Sequence, residues 1–236
     1  KSIMYCKLSQ LSTELLRDAV NTESKRTTGK KNPRQIKAKT VINEYGLITA
    51  VINTYAPALD CTVKLPQIEH NQHEISTPDV IYQIVKDTPI ELPALLAMWL
   101  SLTESEILGL TKSKSISSDG CYITIKEVIV KDEHNNAVVK NKGKQPTRDR
   151  TLRLPEYLKQ LIDKVETDQL VTLSGTALSK RFNRLITKAG IPHMTFHDLR
   201  HVNASVMAVL RIPDKYAQER GGWKTDHIMK STYMQT

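Results

Sequence analysis

Apolar residues recur at three- and four-residue intervals over most of this chain, and at two-residue intervals over one short stretch. Leu8 to Val20 has helical spacing, with Ser12 or Thr13 placed to cap it. The polar segment Asn21 to Asn32, which contains Gly29, reads as a loop. Pro33 stands where a helix starts, and Ile36, Val41, Tyr45, Ile48, Ile52 and Tyr55 form its apolar stripe. Cys61 to Ser76 loses the period, contains Pro66 and turns polar after Ile68, so it reads as a linker. Thr77-Pro78-Asp79 then opens a helix that ends near Asp87. Pro89 and Pro93 precede a strongly apolar helix, Ala94 to Leu102, and Glu104 to Leu110 forms a shorter one.

From Gly120 the period changes to two: CYITI and EVIVK, a turn at Asp132 to Asn136, AVVK, and a third strand at RTLRL that Pro155 ends. These form a small antiparallel sheet. Helices resume at Glu156 to Val165 and Ser179 to Ala189. The expected class is therefore α+β: a helical unit, then a mostly helical domain around a small sheet. In the last stretch, Leu199, Val202, Val206, Val209 and Leu210 give a helical stripe on which His197 and Arg200, three apart, share a face. Thr195 is placed as its cap, with Asp198 in the position of a capping-box acid. Pro213 starts a second short helix, Gly221-Gly222 ends it, and Trp223 opens a third that carries Tyr233.

Charge narrows the class of partner. The 236 residues carry a formal net charge of +9, with an isoelectric point near 9.4, which favours a polyanion such as nucleic acid. Lys25, Arg26, Lys30, Lys31, Arg34, Lys37 and Lys39 concentrate positive charge in one loop and one helix start. Such a cluster is either a solvated loop or a grip on a phosphate backbone. Cys6, Cys61 and Cys121 are widely spaced with no CxxC pair, which argues against a disulfide framework and a zinc site and fits a reducing cytoplasm. No signal peptide is seen, and the longest apolar run, Leu92 to Leu102, is too short to span a membrane.

HDLRH from His197, Gly-Gly-Trp ending at Trp223, and a tyrosine ten residues later make up a pattern that resembles the C-terminal signature of the tyrosine recombinases, in particular phage and mobile-element integrases. The resemblance extends over nearly the whole chain. It implies a partial helical core-binding domain at 1–66, a linker at 67–76 and a catalytic domain at 77–236, together a C-shaped clamp on duplex DNA. It implies Tyr233 as nucleophile, with Arg200, His197 and Trp223 around the scissile phosphate. Trp223 stands where many members carry a second histidine. The family's lysine on a β-hairpin is best matched by Lys144, with Lys142 as rival.

Each of these residue types suits phosphodiester chemistry. A guanidinium is always charged and grips two oxygens, an imidazole donates or shuttles a proton, and a tyrosyl ester conserves the energy of the broken bond. No metal or nucleotide cofactor is expected. The family reads roughly Gly-Leu-Arg-x-Ser-Glu after the apolar helix, whereas this chain reads Ser101-Leu102-Thr103-Glu104-Ser105-Glu106. Glu106 fits as the brace of the catalytic cations, but Thr103 occupies the arginine position, and no arginine lies between Arg34 and Arg148.

The expected function is site-specific recombination of double-stranded attachment sites. A catalytically disabled DNA-binding relative is the alternative that Thr103 favours, and a type IB topoisomerase-like relaxing enzyme is a third. The resemblance further implies a homotetramer on DNA, a monomer off it, and a place with the nucleoid in a bacterial cytoplasm. The chain starts at Lys1 and stops just past Tyr233, which reads as a piece of a longer protein without the arm-binding module of many integrases.

Overall fold

The computed structural model describes residues 3–29, 32–68, 75–141 and 150–223. The chain divides into two compact units, Lys1–Gln72 and His73–Thr236.

The first unit is built on two helices. Helix α1 (Thr13–Ser24) starts at Ser12, whose hydroxyl accepts from the Leu15 N–H. It runs four residues past Val20, into the segment read as loop. Strands β1 (Thr27–Thr28) and β2 (Arg34–Gln35) then form a short antiparallel pair, Thr28 opposite Arg34. Helix α2 (Ala38–Tyr55) therefore begins five residues after Pro33. Two-residue strands leave no alternation to read, so the hairpin escapes a periodicity argument. Leu16 and Val20 pack on Val41, Tyr45 and Ile52, while Tyr55, expected on the buried stripe, is exposed. Leu59, Cys61, Val63 and Leu65 also lie against this core, and the Tyr45 hydroxyl donates to the Cys61 carbonyl at 2.6 Å. The start of the expected linker is thus part of the first unit, for its apolar residues alternate and pack on that core.

The second unit is organised around helix α4 (Glu91–Leu100), nearly all of whose residues are buried. Pro93 falls inside its first turn, where a missing N–H costs nothing, so the helix starts earlier than expected. Around α4 pack α3 (Pro78–Val85), α5 (Glu104–Leu108), α7 (Glu156–Asp163) and α9 (Asp198–Val209). A short helix α6 (Lys112–Ser115) leads to the strands.

The strands form two separate antiparallel pairs among the described residues, not one sheet. They are β3 (Tyr122–Ile125) with β6 (Arg150–Arg153), and β4 (Glu127–Lys131) with β5 (Ala137–Asn141). Asp132 makes the β4–β5 turn, its carboxylate accepting from the N–H groups of His134 and Asn136. In β3–β6, Ile123 faces Leu152 on the buried side, which fixes the register that carries Arg150.

Helix α8 (Gly175–Ala189) starts four residues before the expected Ser179, because Ser174 caps it by accepting from the Ala177 N–H. A Cβ on Gly175 would meet the Glu104 carboxylate, which would have to swing aside. Phe182 of α8 meets Phe196 edge to face, with ring centroids 5.7 Å apart. No helix among the described residues is long and apolar enough to cross a membrane.

Phe182 is fully buried and holds the segment that leads into α9. Phe182→Ala is expected to lower unfolding free energy by about 3–5 kcal/mol, read by urea titration. A loss below about 1 kcal/mol would show that Phe196 is held by other neighbours.

Candidate active site

The site is assembled from helix ends. Helix α4 stops at Ser101, which is fully buried and in the left-handed conformation (φ 56°). The last carbonyls of a helix have no partner within it and carry its negative pole, so they attract cationic donors. Arg220 donates to the Trp99 carbonyl at 2.9 Å, and Asn203 donates to the same oxygen at 3.3 Å. Arg200 donates through Nη1 to the Ser101 carbonyl, and Arg150 reaches that oxygen at 3.3 Å.

A second helix end supplies the other side. Helix α10 (Asp214–Gly221) terminates at Gly222 (φ 66°), and its Gly221 carbonyl accepts from Arg200 Nη2 at 3.0 Å and Arg150 Nη1 at 2.9 Å. The Gly-Gly-Trp motif now has a physical reading. Any Cβ on Gly221 would strike the Trp223 ring, and one on Gly222 would strike the Arg150 guanidinium. Gly222 in addition needs the positive φ that closes the helix. Trp223 folds back over Gly221, and its ring lies 5.2 Å from the Arg200 guanidinium carbon. Its packing partners are Ala204, Met207 and Ala217.

Glu106 is the carboxylate of the site and is buried. Its Oε2 accepts from the Thr103 N–H at 2.8 Å and from Arg150 Nη2 at 3.0 Å, and lies 4.0 Å from Arg200 Nη1. Thr103 returns a bond, its hydroxyl accepting from the Glu106 N–H at 3.3 Å, so the two form a capping box on α5. The residue at the arginine position is therefore a working N-cap. Such a cap is worth about 1 kcal/mol, and arginine offers no oxygen to make it.

His197 occupies the N-cap position of α9 in helical backbone conformation and is exposed. The helix begins at Asp198, whose carboxylate accepts from the Thr195 N–H and hydroxyl, at 2.7 and 2.9 Å. Half of the expected capping box is thus present, Asp198 reaching back to the Thr195 N–H, while the Thr195 hydroxyl donates to the same carboxylate instead of accepting from the helix. Val209 and Leu210, expected on the buried stripe, are exposed, while Arg200 and Asn203 take inward positions. Although the residue is exposed as a whole, partial desolvation of its imidazole, then the Arg200 charge, holds His197 below the usual histidine range. Its ring meets His201 edge to face at 5.8 Å.

The structure thus gathers Arg200, Trp223 and Glu106, and sets His197 at the start of the helix that carries Arg200. It adds Arg150, which sequence reasoning used only as a strand residue. Tyr233, Lys144 and Lys142 lie outside the described residues, as do Lys30 and Lys31. In the first unit Lys25, Arg34, Lys37 and Lys39 are exposed along the α1 end, β2 and the α2 start. Arg26 there pairs with Glu23 and with Glu44 at 3.1 Å.

A family model described as the phage integrase family matches residues 104–236, more than half of the chain. The chain belongs to the phage integrase family. Membership places it among proteins of DNA integration and recombination. Its fold agrees with solved integrases. The Tn1549 transposon integrase in complex with transposon right end DNA superposes with a TM-score of 0.78 at 14% identity, over 97% of this chain and 82% of that one. Lambda integrase (residues 75–356) bound to DNA gives 0.59 at 18% identity, over 95% and 81%. XerA recombinase gives 0.54 at 15% identity, over 99% and 82%. No curated protein sequence matches the chain.

The depressed pKa of His197 sets the sign of a pH effect. Below the ordinary value of about 6.5, the unfolded chain binds this proton before the folded one does. The contribution to stability is therefore present above that value and is lost as the pH falls through the folded pKa. In an NMR titration of this protein, the His197 ring is expected to titrate below 6.5; a midpoint at or above that value would contradict the geometry.

Proposed function

We propose that this chain cleaves and rejoins duplex DNA at specific attachment sites through a covalent 3′-phosphotyrosyl intermediate. The observation that carries the reading is the buried Arg200, fixed by two helix-end carbonyls, the Glu106 carboxylate and the Trp223 ring, inside the family-matched segment.

In this mechanism the Tyr233 oxygen forms a bond to the scissile phosphorus and releases its proton. The bond to the 5′ oxygen breaks, and that oxygen takes a proton from Lys144 or Lys142. Arg200 binds the non-bridging oxygens, where negative charge collects in the transition state. His197, at the exposed end of the same helix, donates to a phosphate oxygen or moves the tyrosyl proton. Trp223 and Glu106 hold Arg200 in place. Rejoining is the same step reversed, with a 5′ hydroxyl from either duplex. Lys25, Arg26, Lys30, Lys31, Arg34, Lys37 and Lys39 contact the DNA backbone from the first unit, Arg26 by exchanging its glutamate partners for phosphate. Strand exchange takes place in a homotetramer on DNA. The DNA-bound Tn1549 and lambda integrases support duplex DNA as the partner.

The deciding test is covalent trapping on a nicked half-site duplex cut from the ends of the mobile element that encodes the chain. The wild-type protein is expected to form the adduct, and Tyr233→Phe to lose it while DNA affinity stays within about threefold. Binding without any adduct would return the chain to the class of disabled DNA-binding relatives. An adduct retained by Tyr233→Phe would remove that residue from the nucleophile role.

Charge reversal at Lys30, Lys31 and Lys37 is expected to weaken DNA binding. It should flatten the dependence of log K on log salt by roughly 0.9 for each phosphate that is no longer neutralised. An unchanged slope, measured by fluorescence anisotropy, would make the cluster a solvated surface.

A further inference from the structure

We propose that Arg150, projecting from strand β6, is a catalytic residue that grips the scissile phosphate in place of the arginine missing at Thr103. The proposal rests on the recombinase reading above.

Position is the first argument. The arginine of the family pattern would leave the chain at Thr103, in the corner between α4 and α5. The Arg150 guanidinium reaches that corner from outside it. It donates to the Ser101 carbonyl, two residues before Thr103, and to the same Glu106 oxygen that accepts from the Thr103 N–H. Thr103 itself is committed to capping α5. The corner has thus kept its cap and its carboxylate, and takes its cation from a neighbouring strand.

Pairing is the second. Arg150 and Arg200 share the Ser101 carbonyl, the Gly221 carbonyl and Glu106. Their side chains are 11% and 6% exposed. Two guanidiniums face one carboxylate there. Like charges brought together out of water repel and are costly to desolvate, and a bound anion relieves both effects. Both Nε–H groups are buried and lack a hydrogen-bond partner among the described residues.

A role as brace alone accounts for less. Arg200 already ties the same two carbonyls to the same carboxylate, so a second brace needs no charge. A phosphodiester under attack does need it, because both non-bridging oxygens gather charge as the Tyr233 oxygen bonds to phosphorus and the 5′ oxygen departs. Two adjacent guanidiniums supply donors for both.

The test uses the full chain and the nicked half-site in two forms, one with the natural scissile phosphodiester and one with a methylphosphonate, which lacks the charge that an arginine neutralises. Covalent adduct formation is timed at saturating DNA for wild type, Arg150→Ala, Arg150→Lys and, as reference, Arg200→Ala. Arg150→Ala is expected to be about 100-fold slow on the phosphodiester and within about tenfold of wild type on the methylphosphonate. Arg150→Lys should fall between Arg150→Ala and wild type on the phosphodiester. Equal deficits on both substrates would make Arg150 a structural brace, and no deficit would remove it from the site; either overturns the proposal. Should Arg150→Ala fail to fold by thermal melting, the Arg150→Lys rates on the two substrates decide by the same comparison. A wild-type chain that forms no adduct with either substrate would overturn the recombinase reading and this proposal together. Normal wild-type cleavage, a crippled Arg200→Ala and indifferent Arg150 variants would overturn only the proposal.

Discussion

Two helix ends meet over a pair of arginines, and the site of this protein depends on that meeting. The carbonyls of Ser101 and Gly221 are orphans of α4 and α10, and each must find a donor because both lie inside the unit. Arg200 and Arg150 satisfy both at once. The demand of the helices for capping and the demand of the proposed chemistry for fixed cations are met by the same groups. The Glu106–Arg200 pair, at 4.0 Å, is a positioning device more than a source of stability. At an effective dielectric near 20 it gains about 4 kcal/mol, which several kcal/mol of desolvation per buried ion offsets.

The C-terminal motif was legible because its residue types and their spacing lie within a short stretch, even where their partners are distant. Gly221 and Gly222 are glycines so that Trp223 and Arg150 can pack where side chains would stand. Arg200 interrupts the apolar stripe of α9 because it points inward, at the carbonyls. The apolar run of α4, its Pro-marked start and the Asp132 turn follow from the same kind of short-range rule. Family membership, now carried by the match over residues 104–236, agrees with what those few residues implied.

What escaped the sequence reading is what depends on distance along the chain. Arg150 lies 44 residues from Glu106, 49 from Ser101 and 71 from Gly221, and only the Ile123–Leu152 register brings it there. Seen alone, it is one polar residue of an alternating strand. The β1–β2 pair failed to show for a different reason, being too short to have a period. The Leu59–Leu65 strap looked like linker because its apolar residues follow no helical rule, yet they complete a core that two helices cannot close by themselves. Roles assigned to Tyr233 and to Lys144 or Lys142 rest on the motif and its chemistry, since these residues lie outside those described.

Thr103 changes meaning once the corner is seen in three dimensions. On the sequence it is a missing cation, and it favours a disabled protein. In the structure it is half of a capping box whose other half, Glu106, holds Arg150. Replacing it with arginine would add a third guanidinium beside one carboxylate and remove the hydroxyl that starts α5. The corner is therefore internally consistent as it stands: a threonine that caps, a glutamate that binds two cations, and an arginine delivered by β6. A decayed site would be expected to show a missing cation with its partners left unsatisfied. Here the carbonyls and the carboxylate all have donors, so the supports of the proposed phosphate grip are in place.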